Sequence, residues 1–328
     1  MRVLVVGGCG FIGSSIVHEL QFAGMDVWTI DNISTYHNTL DIDLLWRAVA
    51  VRTRGFKHDN INKCITDNLD HEFNEIKPDV VINLAAYPSV NLVDKYPKEA
   101  LNIMGAGQLN LLELSKQHGV KKYIYFSSSM VYGNWTRAKM SEWNKPNPIN
   151  LYGQYKLFGE QLGDMYPDFP VISVRPSAVY GFGDYSHRVL NQFCLNAIQG
   201  KPLIIKGRHT AMDFTHVSQV SRAIHFLINL TYIPKLVNSR ACFNIAGGCS
   251  YDLMTIAHIL ETISGKHLEI IVEDKEKNHP RRGTLDTVRA QHVLGWHHEL
   301  SIEQGLEGLY DWINKFYGQQ TTISEPKI

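Results

Sequence analysis

Short, near-continuous apolar runs recur through the first half of the chain: Val3 to Val6, Val27 to Ile30, Val80 to Leu84, Tyr123 to Phe126 and Val171 to Val174. Strands apolar on both faces are what a parallel sheet covered on both sides requires. Helical periods lie between them: Ile12, Ile16 and Leu20 recur every four residues within Phe11 to Phe22, and Asn102 to His118 carries a dense leucine face. The alternation predicts repeated strand–helix–strand units, hence an α/β fold with a doubly wound parallel sheet. After residue 176 the pattern is irregular. Strands shorten (Leu203 to Ile205, Cys242 to Ile245, Leu268 to Val272), and helices are predicted over 188–199, 217–230, 252–264 and 301–316, the last with Ile302, Leu306, Leu309 and Ile313 on one face. We therefore read a sheet domain over 1–175, with a return segment near 213–235, interleaved with a smaller α/β C-terminal domain over 176–328.

Composition excludes several classes. With 44% apolar and 20% charged residues the chain is not a disordered one. Its 32 basic side chains cancel 32 acidic ones, so no net field draws it to nucleic acid or to an anionic membrane, and neither partner is expected. Cys9, Cys64, Cys194, Cys242 and Cys249 are odd in number and scattered, which argues against a disulfide framework and for a reducing cytoplasm. Residues 2–6 are already strand-like, leaving no room for a leader, and no apolar stretch of about 18 residues could span a bilayer. The 15 histidines form no ligand cluster, so no metal is expected.

Directly after the first strand comes Gly7-Gly8-Cys9-Gly10-Phe11-Ile12-Gly13, followed by a helical period. That is the strand–turn–helix setting of a dinucleotide-binding Rossmann fingerprint. The glycines allow a tight turn, backbone approach to a pyrophosphate and close helix–sheet packing, and the helix N-terminus faces the phosphate charge. Asp31 ends the second strand, where a carboxylate can accept from ribose hydroxyls and would repel a 2′-phosphate. No Lys or Arg lies between Asn32 and Trp46, which favours NAD over NADP; Arg47, Arg52 and Arg54 follow and read as a solvated face. Asp59, after a third strand candidate, could hydrogen-bond the adenine amine or be a surface turn residue.

Tyr152 and Lys156 stand four apart, on one face of a predicted helix. About one such pair is expected by chance, so position carries the weight. The helix follows Ser127-Ser128-Ser129-Met130-Val131-Tyr132-Gly133, a serine cluster at the carboxyl end of a sheet strand, where doubly wound folds bind ligands. With these motifs the sequence resembles the extended short-chain dehydrogenase/reductase family and, within it, the nucleotide-sugar epimerases and dehydratases. The likeness runs through nearly the whole chain: Gly7 to Gly13, Asn83-Leu84-Ala85-Ala86, Asn102 with Gly105, the serine cluster, Tyr152 and Lys156, Arg175-Pro176 through Gly181, Asp213 to Val217, Leu285-Asp286-Thr287, and Leu294-Gly295-Trp296.

The resemblance implies Tyr152 as acid/base, its phenol lowered by the Lys156 ammonium and a nicotinamide charge. It implies Ser128 as the serine on the reacting hydroxyl, with Ser127 and Ser129 close enough to leave the choice open. It further implies an NAD site of Gly7, Gly10, Phe11, Ile12, Gly13, Asp31, Asn32, Asp59, Asn60, Leu84, Ala85, Ala86, Asn102, Tyr152, Lys156, Pro176 and Ser177. The partner would be a nucleotide-diphosphate sugar held by the C-terminal domain. Asn83 replaces the family's usual His, Tyr155 a small hydroxyl residue, and Met212 an Arg that touches the nucleotide diphosphate. Arg188, Arg208, Arg281 and Arg282 are the candidate replacements, because guanidinium forks suit phosphate oxygens; the alternative for each is a surface arginine.

Members of the family remove hydride from sugar C4 and differ in the fate of the resulting ketose. The dehydratases carry an Asp-Glu pair after the catalytic hydroxyl residue; here Ser129 and Met130 follow Ser128. The expected reaction is therefore NAD-dependent 4-epimerisation. The alternatives are a 4-dehydrogenase/reductase that releases the ketose, a 4,6-dehydratase, and, in a different class, a non-catalytic NAD-binding scaffold. Apolar faces at 102–118 and 151–165 (Leu157, Phe158, Leu162, Met165) suit a homodimer or burial within one subunit.

Overall fold

The structure, a computed structural model, describes residues 1–37, 42–184, 188–208, 210–232, 234, 241–274 and 279–318. Six parallel strands form the central sheet: β1 (Arg2–Val6), β2 (Asp26–Ile30), β3 (Val80–Asn83), β4 (Lys122–Phe126), β5 (Val171–Pro176) and β6 (Cys242–Ile245). Their order is β6-β5-β4-β3-β1-β2. The helices that matter most for the site are α1 (Phe11–Phe22), α2 (Ile42–Thr53), α3 (Gln108–Gln117), α4 (Leu151–Asp164) and α5 (Val217–Asn229). The expected doubly wound sheet is present, and β6 comes from Cys242–Ile245, which the sequence pattern had assigned to the smaller domain. No strand lies between α2 and Asp59; the nearest strand-like contact, a single parallel bridge between Ile30 and Ile61, follows it.

Pleating explains the apolar runs. Val3, Val5, Val27, Val80, Ile82, Ile124, Ile172 and Val174 face one core with Ile16 and Leu20 of α1 and Val220, Ile224 and Leu227 of α5. Leu4, Val6, Ile30, Val81, Tyr123 and Tyr125 face the other, against Leu111 and Leu112 of α3. Each fully buried Val, Ile or Leu contributes about 1.5–3 kcal/mol, so the alternation fixes the register of every strand. Lys122 extends from the edge of β4 to the end of α5, where its ammonium donates to the carbonyls of Leu227, Ile228 and Leu230 at 2.9, 2.6 and 2.7 Å. A cation there complements the helix dipole and satisfies terminal carbonyls.

The predicted helix over 102–118 begins with a π-helical turn, Asn102–Gly107, before α3. Gly105 and Gly107 sit there against Phe158 and Ile65. Beyond β5 a second core forms around Leu190, Phe193, Leu203, Ile205, Leu253, Ile256, Leu306 and Leu309. Short pairs organise it: Leu203–Lys206 with Ile270–Glu273 in parallel, and Ala211–Asp213 with Ser250–Asp252 antiparallel. Since β1 has β2 on one side and β3 on the other, the winding reverses between β1 and β3, and the carboxyl ends of β1, β3, β4 and β5 open onto one crevice. Among the described residues, no helix is long and apolar enough to cross a membrane.

Candidate active site

The glycine turn at the end of β1 has the geometry its sequence predicts. Gly7 takes φ +80°, its N–H donates to the Ile30 carbonyl at 2.8 Å, and a Cβ added at Gly13 would lie 2.1 Å from the Gly7 oxygen. Gly10 begins α1 without a side-chain cap, and the first turn holds no acidic residue. The exposed amides and positive dipole end of α1 therefore suit an anion. Asp31 is fastened to this turn: its carboxylate accepts from the Cys9 amide at 3.0 Å and the Ile33 amide at 2.8 Å. Burial pushes this carboxyl up, while those hydrogen bonds and the Arg52 charge oppose the shift.

The other residues expected around NAD differ in their surroundings. Phe11 is buried and Ile12 half-buried at the start of α1. Asn60 donates to the Asp31 carbonyl at 2.8 Å, whereas Asn32 and Asp59 are exposed. The Leu84 amide donates to Val6, Ala85 packs against Gly7, and the Ala86 carbonyl accepts from Tyr36 at 3.2 Å. Asn102 lies in an open cleft of about 650 Å³ with Ser34, Thr35, Tyr87 and Lys98. Pro176 ends β5, and the buried Ser177 hydroxyl has no hydrogen-bond partner among the described residues. The glycine turn, Asp31 and this orphaned hydroxyl fit a dinucleotide. Among the described residues, no group of three His, Cys, Asp or Glu could hold a metal ion.

Tyr152 and Lys156 occupy the first turns of α4, which Asn150 caps by accepting from the Gly153 amide at 2.9 Å. The Tyr152 phenol lies near Ser128, which draws it down, and the Ser128 Oγ accepts from the Met130 amide at 3.2 Å. The three serines differ: Ser127 donates to Glu160 at 2.5 Å, and the buried Ser129 hydroxyl has no hydrogen-bond partner among the described residues. Lys156 is buried, its ammonium donating to the Phe126 carbonyl at 2.6 Å and lying 5.9 Å from the Tyr152 ring centre. Burial pushes Lys156 down to about 7, against the opposing Glu160 charge. The electrostatics at Tyr152 differ from the expectation. Burial raises its phenol above 10, and the groups that draw it back are Ser128, Arg188 and Arg282.

The four candidate arginines divide. Arg188 is half-exposed, its guanidinium 5.4 Å from the Phe11 ring centre. Arg282 is half-buried, contacts the Met212 sulfur, and lies within the fields of Tyr152 and Asp213. A cation thus stands beside the position where Met212 removes one. Arg208 and Arg281 are exposed; Arg208 lies on the turn after Leu203–Lys206, and Arg281 reaches the Trp135 carbonyl at 3.4 Å. Asn83 is buried in a structural role, donating to Gln108 at 2.7 Å and accepting from the Ala85 amide at 2.9 Å. Tyr155 donates to the Pro97 carbonyl at 3.3 Å.

Two residues were missed. Asp213 is buried and accepts from the Gly248 and Leu285 amides at 3.1 and 3.0 Å, with burial pushing its carboxyl up to about 7. Arg52, read as part of a solvated face, is 8% exposed. Of its two neighbours in that reading, Arg54 is exposed and Arg47 lies over the Phe316 ring at 4.7 Å.

A family model described as the NAD dependent epimerase/dehydratase family matches residues 3–238. An uncharacterized UDP-glucose epimerase of Bacillus subtilis (strain 168) is 27% identical over 330 residues, covering 97% of this chain and 99% of its own. The crystal structure of the UDP-glucose 4-epimerase of Thermotoga maritima with UDP-glucose superposes with a TM-score of 0.85 at 28% identity, covering 97% of this chain and 100% of its own. That of the UDP-glucuronic acid 4-epimerase of Bacillus cereus, with UDP-glucuronic acid and NAD, gives 0.86 at 26% identity and the same coverage.

Proposed function

Because the chain belongs to the NAD dependent epimerase/dehydratase family, in its extended short-chain dehydrogenase/reductase group, we propose that it inverts C4 of a nucleoside-diphosphate hexose. The observation that carries this reading is Ser128 set beside the Tyr152 phenol with Lys156 one turn on, and Ser129 and Met130 rather than carboxylates after Ser128. UDP is the nucleotide named for the relatives and is the one we infer here.

Tyr152 takes the C4 hydroxyl proton while Ser128 holds that oxygen, and Lys156 fixes the helix face on which the phenol sits. When bound, NAD would supply a reversible acceptor for the C4 hydride. The 4-keto sugar turns over in the pocket between the two steps, and Tyr152 returns the proton to an alcohol of opposite configuration. Neither Ser129 nor Met130 can deprotonate C5 or protonate a departing C6 hydroxyl, so water is retained. Arg282 and Arg188 are the diphosphate ligands we favour, since both charges act at Tyr152. Of the apolar side chains expected on the α4 face, Leu157 is buried and Leu162 packs within the subunit; we infer a homodimer through those left exposed along 97–117, α4 and its C-cap, namely Leu101, Leu109, Leu151, Phe158 and Met165. The cytoplasm is the compartment we infer, in keeping with five unpaired cysteines.

The test is to incubate the protein with UDP-, GDP-, TDP- and CDP-hexoses and weigh the products. An unchanged mass with inverted C4 is expected; a product two hydrogens lighter would make it a dehydrogenase, and one lighter by water would overturn the reading.

Asp31 is assigned to the adenosine ribose, so Asp31→Ala should weaken NADH by about 10- to 100-fold, the worth of a charge-assisted hydrogen bond, and NADPH far less. Wild-type protein that binds NADPH as tightly as NADH in a fluorescence titration would contradict the assignment.

A further inference from the structure

The chain after β2 bends sharply without glycine. Ile33, Tyr36 and His37 take φ +47°, +49° and +56°, three of the four non-glycine residues in the left-handed region among the described residues. Branched and bulky side chains are disfavoured there and persist only where their surroundings hold them. Three contacts do so. The Ile33 amide donates to the Asp31 carboxylate at 2.8 Å, the Tyr36 amide donates to the Ser34 hydroxyl at 3.1 Å, and the His37 ring lies 4.5 Å from that of Tyr96. Backbone strained in this way concentrates at ligand clamps and switches.

This conformation sends the Tyr36 side chain across the sheet. Its hydroxyl donates to the Ala86 carbonyl at 3.2 Å, and its ring meets that of Tyr87 edge-on at 5.0 Å. Tyr36 follows β2 and Ala86 follows β3, and β1 lies between those two strands in the sheet. With neighbouring strands about 4.8 Å apart, the bridge spans about 10 Å and passes over the carboxyl end of β1, where the glycine turn begins. The phenol accordingly lies within the fields of Asp31, Arg52 and Arg188, and burial together with the Asp31 charge keeps it protonated, hence a donor. Ser34, Thr35 and His37, on either side of it in the chain, border the open cleft of about 650 Å³ that holds Asn102, which leaves the loop room to move.

We propose that Tyr36 is a clasp across the cofactor crevice: its ring and its hydrogen bond to Ala86 close the space over the glycine turn, and cofactor enters or leaves when the clasp opens. The proposal rests on the crevice being the NAD site. A clasp suits C4 inversion, in which one cofactor molecule must take the hydride and return it. Cofactor lost between the two steps would strand the 4-keto sugar.

The test uses the full-length protein and stopped-flow fluorescence of NADH, with association followed on mixing and release followed after a chase of excess NAD. Y36F removes only the hydroxyl and should speed release about 3- to 10-fold, the worth of one hydrogen bond. Y36G also removes the ring, in a residue type that suits the left-handed backbone, and should speed release by about 10-fold or more. Association should quicken in both variants, because binding no longer waits for the open state. Unchanged release in both variants would overturn the proposal. So would faster release with association unchanged, which would make Tyr36 a contact of the bound cofactor and not a clasp. Should Y36G not fold, Y36F decides by the same two rates. Failure of the wild-type protein to bind NADH would contradict the cofactor assignment and the clasp together. A wild-type protein that binds NADH but leaves every nucleoside-diphosphate hexose unchanged would contradict only the proposed reaction, with the two rates still deciding the clasp.

Discussion

Tyr152→Phe is expected to lower turnover by about 10²- to 10⁴-fold while NADH affinity stays within about twofold, because it removes one oxygen and leaves the ring. The phenol is the group positioned to exchange a proton with the C4 hydroxyl. Ser128 lies beside it, and Ser128, Arg188 and Arg282 bias it toward the phenolate against the burial that opposes ionisation. A rising KM with unchanged kcat would point to binding rather than proton transfer. Retention of near wild-type kcat, measured with the UDP-hexose that turns over fastest, would remove Tyr152 from the mechanism.

Glu160→Ala is expected to destabilise the fold by about 3–5 kcal/mol, the cost of leaving one partner of a buried ion pair uncompensated. Arg175 and Glu160 are each 1% exposed at the side chain and meet in a two-pronged contact, Nε to Oε1 at 2.8 Å and Nη2 to Oε2 at 2.6 Å. Ser127 donates to the same carboxylate, and Arg175 continues to Tyr132 at 2.9 Å, whose hydroxyl donates to Asn244 at 2.8 Å. This chain ties β4, α4, β5 and β6 together directly behind Ser128 and Lys156. Replacing both charges, Glu160→Met with Arg175→Met, should restore part of the loss, since a matched apolar pair leaves no buried charge. Urea unfolding with NADH present measures all three variants; a loss under about 1 kcal/mol for Glu160→Ala would show that water or a rearranged partner reaches Arg175.

Much of this arrangement was legible along the chain because its causes are local. A strand covered on both faces must be apolar throughout, so β1 to β5 announce themselves, and α1 begins at Phe11 because the glycine turn ends there. The Tyr152–Lys156 spacing needs only the helical repeat. What escaped depends on partners far away in sequence. Which serine faces Tyr152 is decided by Glu160 and Arg175, which claim Ser127. Arg52 looks like its neighbours until Gly183, 131 residues on, packs against it. Cys242–Ile245 looks like any short strand, and only pairing with β5 assigns it to the large sheet.

The most direct measurement tracks the C4 hydrogen. The UDP-hexose that turns over fastest, carrying deuterium at C4, is incubated with the full-length protein in ordinary water, and the product is analysed by mass and by NMR. Hydride removal from C4 and its return, with Tyr152 taking and giving back the hydroxyl proton, predicts the C4 epimer with the deuterium kept at C4, no change of mass and no accumulation of 4-keto sugar. Loss of the deuterium to water with C4 inverted, or a product lighter by one water, would contradict it.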